Sequence, residues 1–197
     1  MHTIKKALAQ YTFGLKSSPY KYKMSTAFTM FFLGDITCQY IDKHFLNTHQ
    51  ASTYDFIRSS RQGIVAGLFG APFLHLFLTK AVPLLNFKGL SAAQFLFLRI
   101  FIHQAVVMPL NIFQFFMITG LLTSGFDIKK TIDNQIPKYK KALIRGWMYW
   151  PLLLVIMYRY VPTHFQNLYM DIFVYFFSIM LSYIQSQSSV VAQSVVQ

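Results

Sequence analysis

The 197-residue sequence has no glutamate, and its six acidic residues are all aspartates, scattered rather than paired. That removes the carboxylate pairs used for general acid and base work. A single cysteine, Cys38, excludes an internal disulfide, a multi-cysteine zinc site and a CxxC redox motif. A glycine-rich phosphate loop, a GxSxG elbow and an HExxH helix are all missing. A non-enzymatic protein without cofactor or metal is expected. Charge is also scarce: 12% of residues, about half of the roughly 25% usual in a soluble domain. No long apolar run follows Lys5 and Lys6, so a secretory signal is not expected.

What remains is apolar. Hydrophobic residues make up 54% and aromatics 18%, and the mean hydropathy is +0.40. A folded chain of this size buries roughly 70% of its unfolded surface. So few charges cannot cover the rest as a water-facing shell. The net charge of +12 comes in short clusters between apolar stretches, the pattern of membrane flanks rather than of a nucleic-acid surface. The reading is one integral-membrane domain over 1–197, without nucleic acid among its partners. It comprises a basic N-terminal segment (1–23), a basic joint (126–146) and a polar tail (187–197).

Five apolar segments stand out, at about 24–41, 56–85, 92–123, 143–161 and 168–184. They are too long for barrel strands, which need about ten alternating residues. The fold class is therefore all-α, a polytopic transmembrane bundle of four to five membrane helices. The third segment would be about 48 Å long as a helix, beyond the roughly 30 Å hydrocarbon core, and Pro109 near its middle predicts a kink. Trp147 and Trp150 at one end of the fourth segment, with Tyr158 and Tyr160 at the other, read as headgroup-level rings.

Polar groups inside such segments cost several kcal/mol, so each requires a reason. At about 100° per residue, Arg99, His103, Gln104, Asn111 and Gln114 share an arc of about 140°. That face is either the lining of a water-filled path or a set of interhelical hydrogen bonds. Asp35 is the costliest acid, and a cation from another helix is expected to pair with it, Arg99 and Arg159 being the candidates. Gly63, Gly67 and Gly70, with Ser59, form a small-residue stripe for close helix packing. His75 reads as a hydrogen-bonded packing histidine, and Cys38 as a small buried hydrophobe. In the joint, Lys129, Lys130, Lys138, Lys140, Lys141 and Arg145 either meet lipid headgroups or only solubilise a loop. An anionic phospholipid is the one bound molecule they would hold.

These elements occur in a familiar order. Gly34-Asp35 with Cys38-Gln39 is followed by Asp55, Arg58 and Arg61, and then by Pro72 and His75. Arg99, Gln104 and Pro109 come next, then Trp147, Trp150 and Pro151, Val161-Pro162, and Leu181-Ser182. In that order and spacing the chain, from about residue 20 to 186, resembles a divergent member of a known family. This is the family of Mpv-seventeen, its yeast Sym-type relatives and the twenty-two-kilodalton peroxisomal membrane protein. The resemblance implies a helical bundle in the mitochondrial inner or the peroxisomal membrane, and a weakly selective pore for small solutes. Several polar positions of the family pattern are changed: His103 replaces an Asp, and Leu154, Met157 and Phe177 stand where Gln, Asn and Trp are usual.

The loss of polar groups sets the functional expectation. A pore needs them to replace solute hydration, whereas a bundle kept for its shape does not. The expectation is a structural or accessory subunit of a larger complex, partnered by lipid and by other membrane subunits or by copies of itself. The mitochondrial inner membrane is the expected location, with the peroxisomal membrane the alternative. A low-selectivity pore lined by Asp35, Arg99, His103, Asn111 and Gln114 is the alternative function.

Overall fold

A computed structural model describes residues 10–14, 17–46, 53–81, 89–162 and 166–194. The described residues are helical throughout apart from their short turns, and none forms a strand. Five long helices follow one another. We number them α1 (Pro19–Ile41), α2 (56–81), α3 (Ala92–Ser124), α4 (Ile128–Tyr160) and α5 (Gln166–Ser194). Residues 10–14 add a short helical stretch before α1.

Local chemistry sets the helix starts. Pro19, which has no N–H to leave unsatisfied, sits in the first turn of α1. The Asp55 carboxylate accepts from Arg58 N at 2.8 Å and opens α2. Ser91 and Gln94 form a reciprocal capping box on α3. Asp127 accepts from Lys130 N at 2.9 Å and opens α4. Between α3 and α4 the chain reverses at Gly125 (φ +70°) and Phe126 (φ +67°). Gly125 takes the left-handed conformation that lets its N–H reach back to the Leu121 carbonyl.

The break expected at Pro109 takes the form of a π-helical turn over His103–Val107. Met108 N–H bonds back five residues to the His103 carbonyl, widening the helix just before the proline ring that would clash with an α-helical carbonyl. Pro72 is preceded in the same way by a π turn at Ala66–Gly70 in α2.

Directions alternate along the chain. Gly63 and Gly67 of α2 meet Phe28 and Met24 of α1, an antiparallel pair. Gly34 of α1 meets Ser178 of α5, and Gly120 of α3 meets Thr131 and Gln135 of α4. The core where the helices converge holds Val65, Met108, Phe116, Trp150, Leu181 and Ile184. Outward positions such as Phe97, Phe101, Leu152 and Phe176 are large, apolar and exposed. Of the described helices, Ala92–Ser124 alone is long and apolar enough to cross a membrane by itself, with a mean hydropathy of 1.8.

Three expectations need correction. The basic stretch 126–146 is not a loop: beyond Asp127 it is the first half of α4, because Asp127 caps it and Thr131, Gln135 and Ala142 pack inward. Trp150 is not a headgroup ring but a core residue, stacked edge-on to Phe177 at 5.3 Å. Only Trp147 is outward, donating to the Gln104 carbonyl at 2.9 Å. Gly70 also differs from its stripe, since a Cβ there would sit at an ordinary 3.5 Å from Asn111 Oδ1. Residues 1–9, 15–16 and 195–197 of the basic start and polar tail lie outside the described residues.

A Cβ at residue 34 would lie 1.9 Å from Ser178 Oγ and 3.3 Å from the Ile179 backbone N. Gly34→Ala is expected to destabilise the bundle by about 1–3 kcal/mol through overpacking, whereas Gly70→Ala is expected to be neutral. Thermal melts of the helical signal in detergent check both; equal melting temperatures would refute the assigned contact.

Candidate functional site

Two polar constellations lie inside the bundle. The first centres on Asp35, whose side chain is fully buried. Arg58 donates to Oδ1 from Nε at 2.9 Å and from Nη2 at 2.8 Å, and Gln62 Nε2 donates to the same oxygen at 2.7 Å. Ser182 of α5 donates to Oδ1 as well. Oδ2 accepts from Ser59 Oγ at 2.6 Å and from Gln39 Nε2 at 2.7 Å. The cation is therefore Arg58, not Arg99 or Arg159. α2 enters antiparallel beside α1, and this brings the first turn of α2 level with Asp35. Cys38 is buried beside this cluster, as expected.

The second constellation is a cavity of about 220 Å³ at the middle of the bundle. Three residues of the expected polar face, His103, Asn111 and Gln114, line it. Asn111 Oδ1 accepts a long bond from Gln114 Nε2 at 3.4 Å, and among the described residues His103 Nδ1 is buried without a partner. Gln104 of that face does not line the cavity, and the other two residues of the expected pore lining are elsewhere. Asp35 belongs to the first cluster, and Arg99 packs its guanidinium 4.5 Å above the Tyr158 ring of α4. Arg99 lies one helical turn before His103, outside the cavity lining and against α4.

Three further cavity residues had not been singled out: Tyr11, Lys23 and Asp171. Tyr11 donates to Asp171 Oδ2 at 2.5 Å, bringing the start of the chain against α5. Lys23 Nζ lies 3.1 Å from His75 Nδ1. An ammonium can only donate, so the imidazole accepts and carries its proton on Nε2. Asp171 could have been found by the argument that marked Asp35, as an acid within an apolar segment; Tyr11 and Lys23 carry no such signal.

The basic positions of α4 separate by exposure. Lys129, Lys130, Lys140, Lys141 and Arg145 are exposed, but Lys138 is buried and cannot meet a headgroup. It points inward because it lies one turn from the buried Gln135 and Ala142, and it donates to the Gln185 carbonyl at 2.9 Å. Burial pushes its pKa down to about 8, with Arg58 adding to the effect. No cluster of three or more metal-ligating side chains occurs among the described residues.

An apolar exterior, a long hydrophobic helix and polar groups turned inward onto a cavity define a helical membrane protein. Comparison with known proteins agrees. Residues 121–182 match the model of the Mpv17 / PMP22 family. The chain is 24% identical to PXMP2/4 family protein 2 of Dictyostelium discoideum, across 82% of this chain and 81% of that one. It is 29% identical to Protein SYM1 of Yarrowia lipolytica, across 78% and 68%. It is 26% identical to the peroxisomal membrane protein PMP22 of Arabidopsis thaliana, across 60% and 62%. No solved structure matches. The chain is thus similar to the Mpv17 / PMP22 family over residues 121–182, and over longer stretches to relatives that include a peroxisomal membrane protein. None of the relatives' names denotes an enzyme.

Removing the charge of Asp35 leaves Arg58 unpaired. Asp35→Asn is expected to cost on the order of 3 kcal/mol, the low end for a buried pair because Arg58 is a quarter exposed. In a double-mutant cycle with Arg58→Gln the two losses are expected to be strongly non-additive; additive losses would remove the pair as a stabilising element. Lys138 gives a pH signature. Its folded pKa lies below the unfolded one, so the folded state binds fewer protons between about 8 and 10.5. Its contribution to stability therefore rises with pH across that window. Lys138→Met is expected to abolish this rise in melts recorded from pH 7 to 11.

Proposed function

We propose that this protein is a small-solute passage in the mitochondrial inner membrane, the peroxisomal membrane being the alternative location. The carrying observation is the cavity at the centre of the bundle, into which His103, Asn111 and Gln114 project from α3. Polar groups that line a cavity offer a solute hydrogen bonds in place of its water, which is the requirement for passage. The unpartnered His103 Nδ1 supports the same reading, since a buried polar atom left without a partner costs about 1–3 kcal/mol. On this reading the five helices all cross the membrane, and the exposed α4 lysines with Arg145 lie against anionic headgroups. Polar groups lost from the family pattern, at Leu154 and Met157, lie in the buried core of α4 instead of on the cavity wall, so their loss leaves the lining in place.

The accessory-subunit reading rests on a different observation. Phe97, Phe101 and Phe113 form an exposed aromatic side of α3 that neighbouring membrane helices would cover as well as lipid does. On a native gel from mild detergent, co-migration with a large complex would favour that reading, and a monomer or small homo-oligomer would favour passage.

The direct test is flux in proteoliposomes. His103→Leu and Asn111→Leu are expected to lower the permeability to small polar solutes by about tenfold, each removing a hydrogen-bonding group from the path. Arg99→Gln, outside the cavity, is expected to leave it unchanged. Equal flux in all three variants would overturn the assignment of the lining.

A further inference from the structure

The polar end of the cavity carries two opposite charges that do not pair. Lys23 of α1 and Asp171 of α5 both line it and feel each other's charge. Yet the bond that Lys23 makes is to the neutral His75 ring, and the bond to Asp171 Oδ2 comes from the neutral Tyr11 hydroxyl. Among the described residues, neither charged group has an ion-pair partner within salt-bridge distance. An ammonium and a carboxylate in a mostly apolar bundle each attract a counter-charge, because little water screens them there. Here each is bonded to a neutral neighbour, and both side chains line the cavity. Lys23 has two further N–H donors, and among the described residues Asp171 Oδ1 accepts no hydrogen bond.

The rest of the cavity is apolar, walled by Phe31, Met108, Ile112, Trp150, Val174 and Phe177. Its volume of about 220 Å³ exceeds the roughly 150 Å³ of an engineered apolar cavity that holds benzene. There is space for a branched or cyclic hydrocarbon group beyond the charged end.

We infer that the cavity is a binding site for a small zwitterion with an apolar body, of the apolar amino-acid class. The ligand's carboxylate is received by Lys23, its ammonium by Asp171, and its side chain by the Phe31, Met108 and Trp150 wall. A net-neutral pair of separated charges calls for a net-neutral ligand with separated charges. A simple anion would meet Asp171, and a simple cation would meet Lys23. The inference rests on the passage reading for the identity of the cavity and adds to it the class of solute.

The test is calorimetric titration of the purified full chain in lipid nanodiscs with three probes of one shape: leucine, 4-methylpentanoate, which lacks the ammonium, and 3-methylbutylamine, which lacks the carboxylate. Leucine is expected to bind about tenfold or more tightly than either analogue, the difference made by one charge-assisted contact. Lys23→Met and Asp171→Asn are each expected to bring leucine down to the level of the matching analogue. Equal binding of all three probes, no leucine binding at millimolar concentration, or unchanged leucine affinity in both variants would overturn the inference. The probe comparison uses the unmodified chain, so it decides even where a variant fails to fold. Leucine binding without solute flux in proteoliposomes would retire the passage reading and leave this site standing. Flux without leucine binding would do the reverse.

Discussion

A carboxylate with no access to water sets the terms for much of this fold. Asp35 is fully buried, and an ionised group there is tolerable only if its charge is met and its lone pairs are filled. The filling comes from Gln39 on α1, from Arg58, Ser59 and Gln62 on α2, and from Ser182 on α5. Three helices must therefore meet at one level, with α2 antiparallel to α1. The first turn of α2 is itself fastened to α1, since Asp55 N donates to Gln39 Oε1 at 2.7 Å. Such a cluster costs desolvation and contributes little net stability. Its effect is to exclude other registers, because a shift by one turn would strand the charge.

With the register fixed at that end, the glycines decide how closely the helices approach. Gly34, Gly63 and Gly67 let α1 run almost backbone to backbone with its neighbours. α3 and α4 close the far side as a hairpin, held by the reversal at Gly125 and Phe126 and by the approach of Gly120 to Thr131 and Gln135. Two of the π turns fall where these halves face each other, at Ala66–Gly70 and His103–Val107. Widened helix and proline ring keep the walls apart there, and the cavity occupies the space they leave. Close packing at one level and imperfect helix at another are thus parts of one arrangement: the first holds the bundle in register, and the second keeps it open.

Much of the polar face of α3 was legible in advance. His103, Asn111 and Gln114 share an arc with the residues around them, and helical periodicity alone is enough to group them. Arg99 shares their arc but lies outside the cavity lining, where it packs on Tyr158 of α4 as an interhelical contact. Lys138 was misplaced for another reason. A basic stretch reads as solvated until a cap at Asp127 turns it into a helix, and a helix must put one of its faces inside. Arg58 meets Asp35 only because α2 runs antiparallel beside α1 and brings its first turn level with residue 35, which no local pattern specifies.

Composition and patterning by themselves determined the class of this protein. Scarce charge and five long apolar segments leave an all-helical membrane protein, since no soluble surface could be built from them. Local sequence also set the helix starts, because a capping side chain bonds within a few residues of itself. Which polar groups meet was decided only by tertiary structure. Tyr11 lies 160 positions from Asp171, and Lys23 lies 52 from His75. Contacts at such separations depend on helix direction, register and rotation together. A π turn or a capped basic stretch changes all three without changing the hydrophobic pattern from which the class is read.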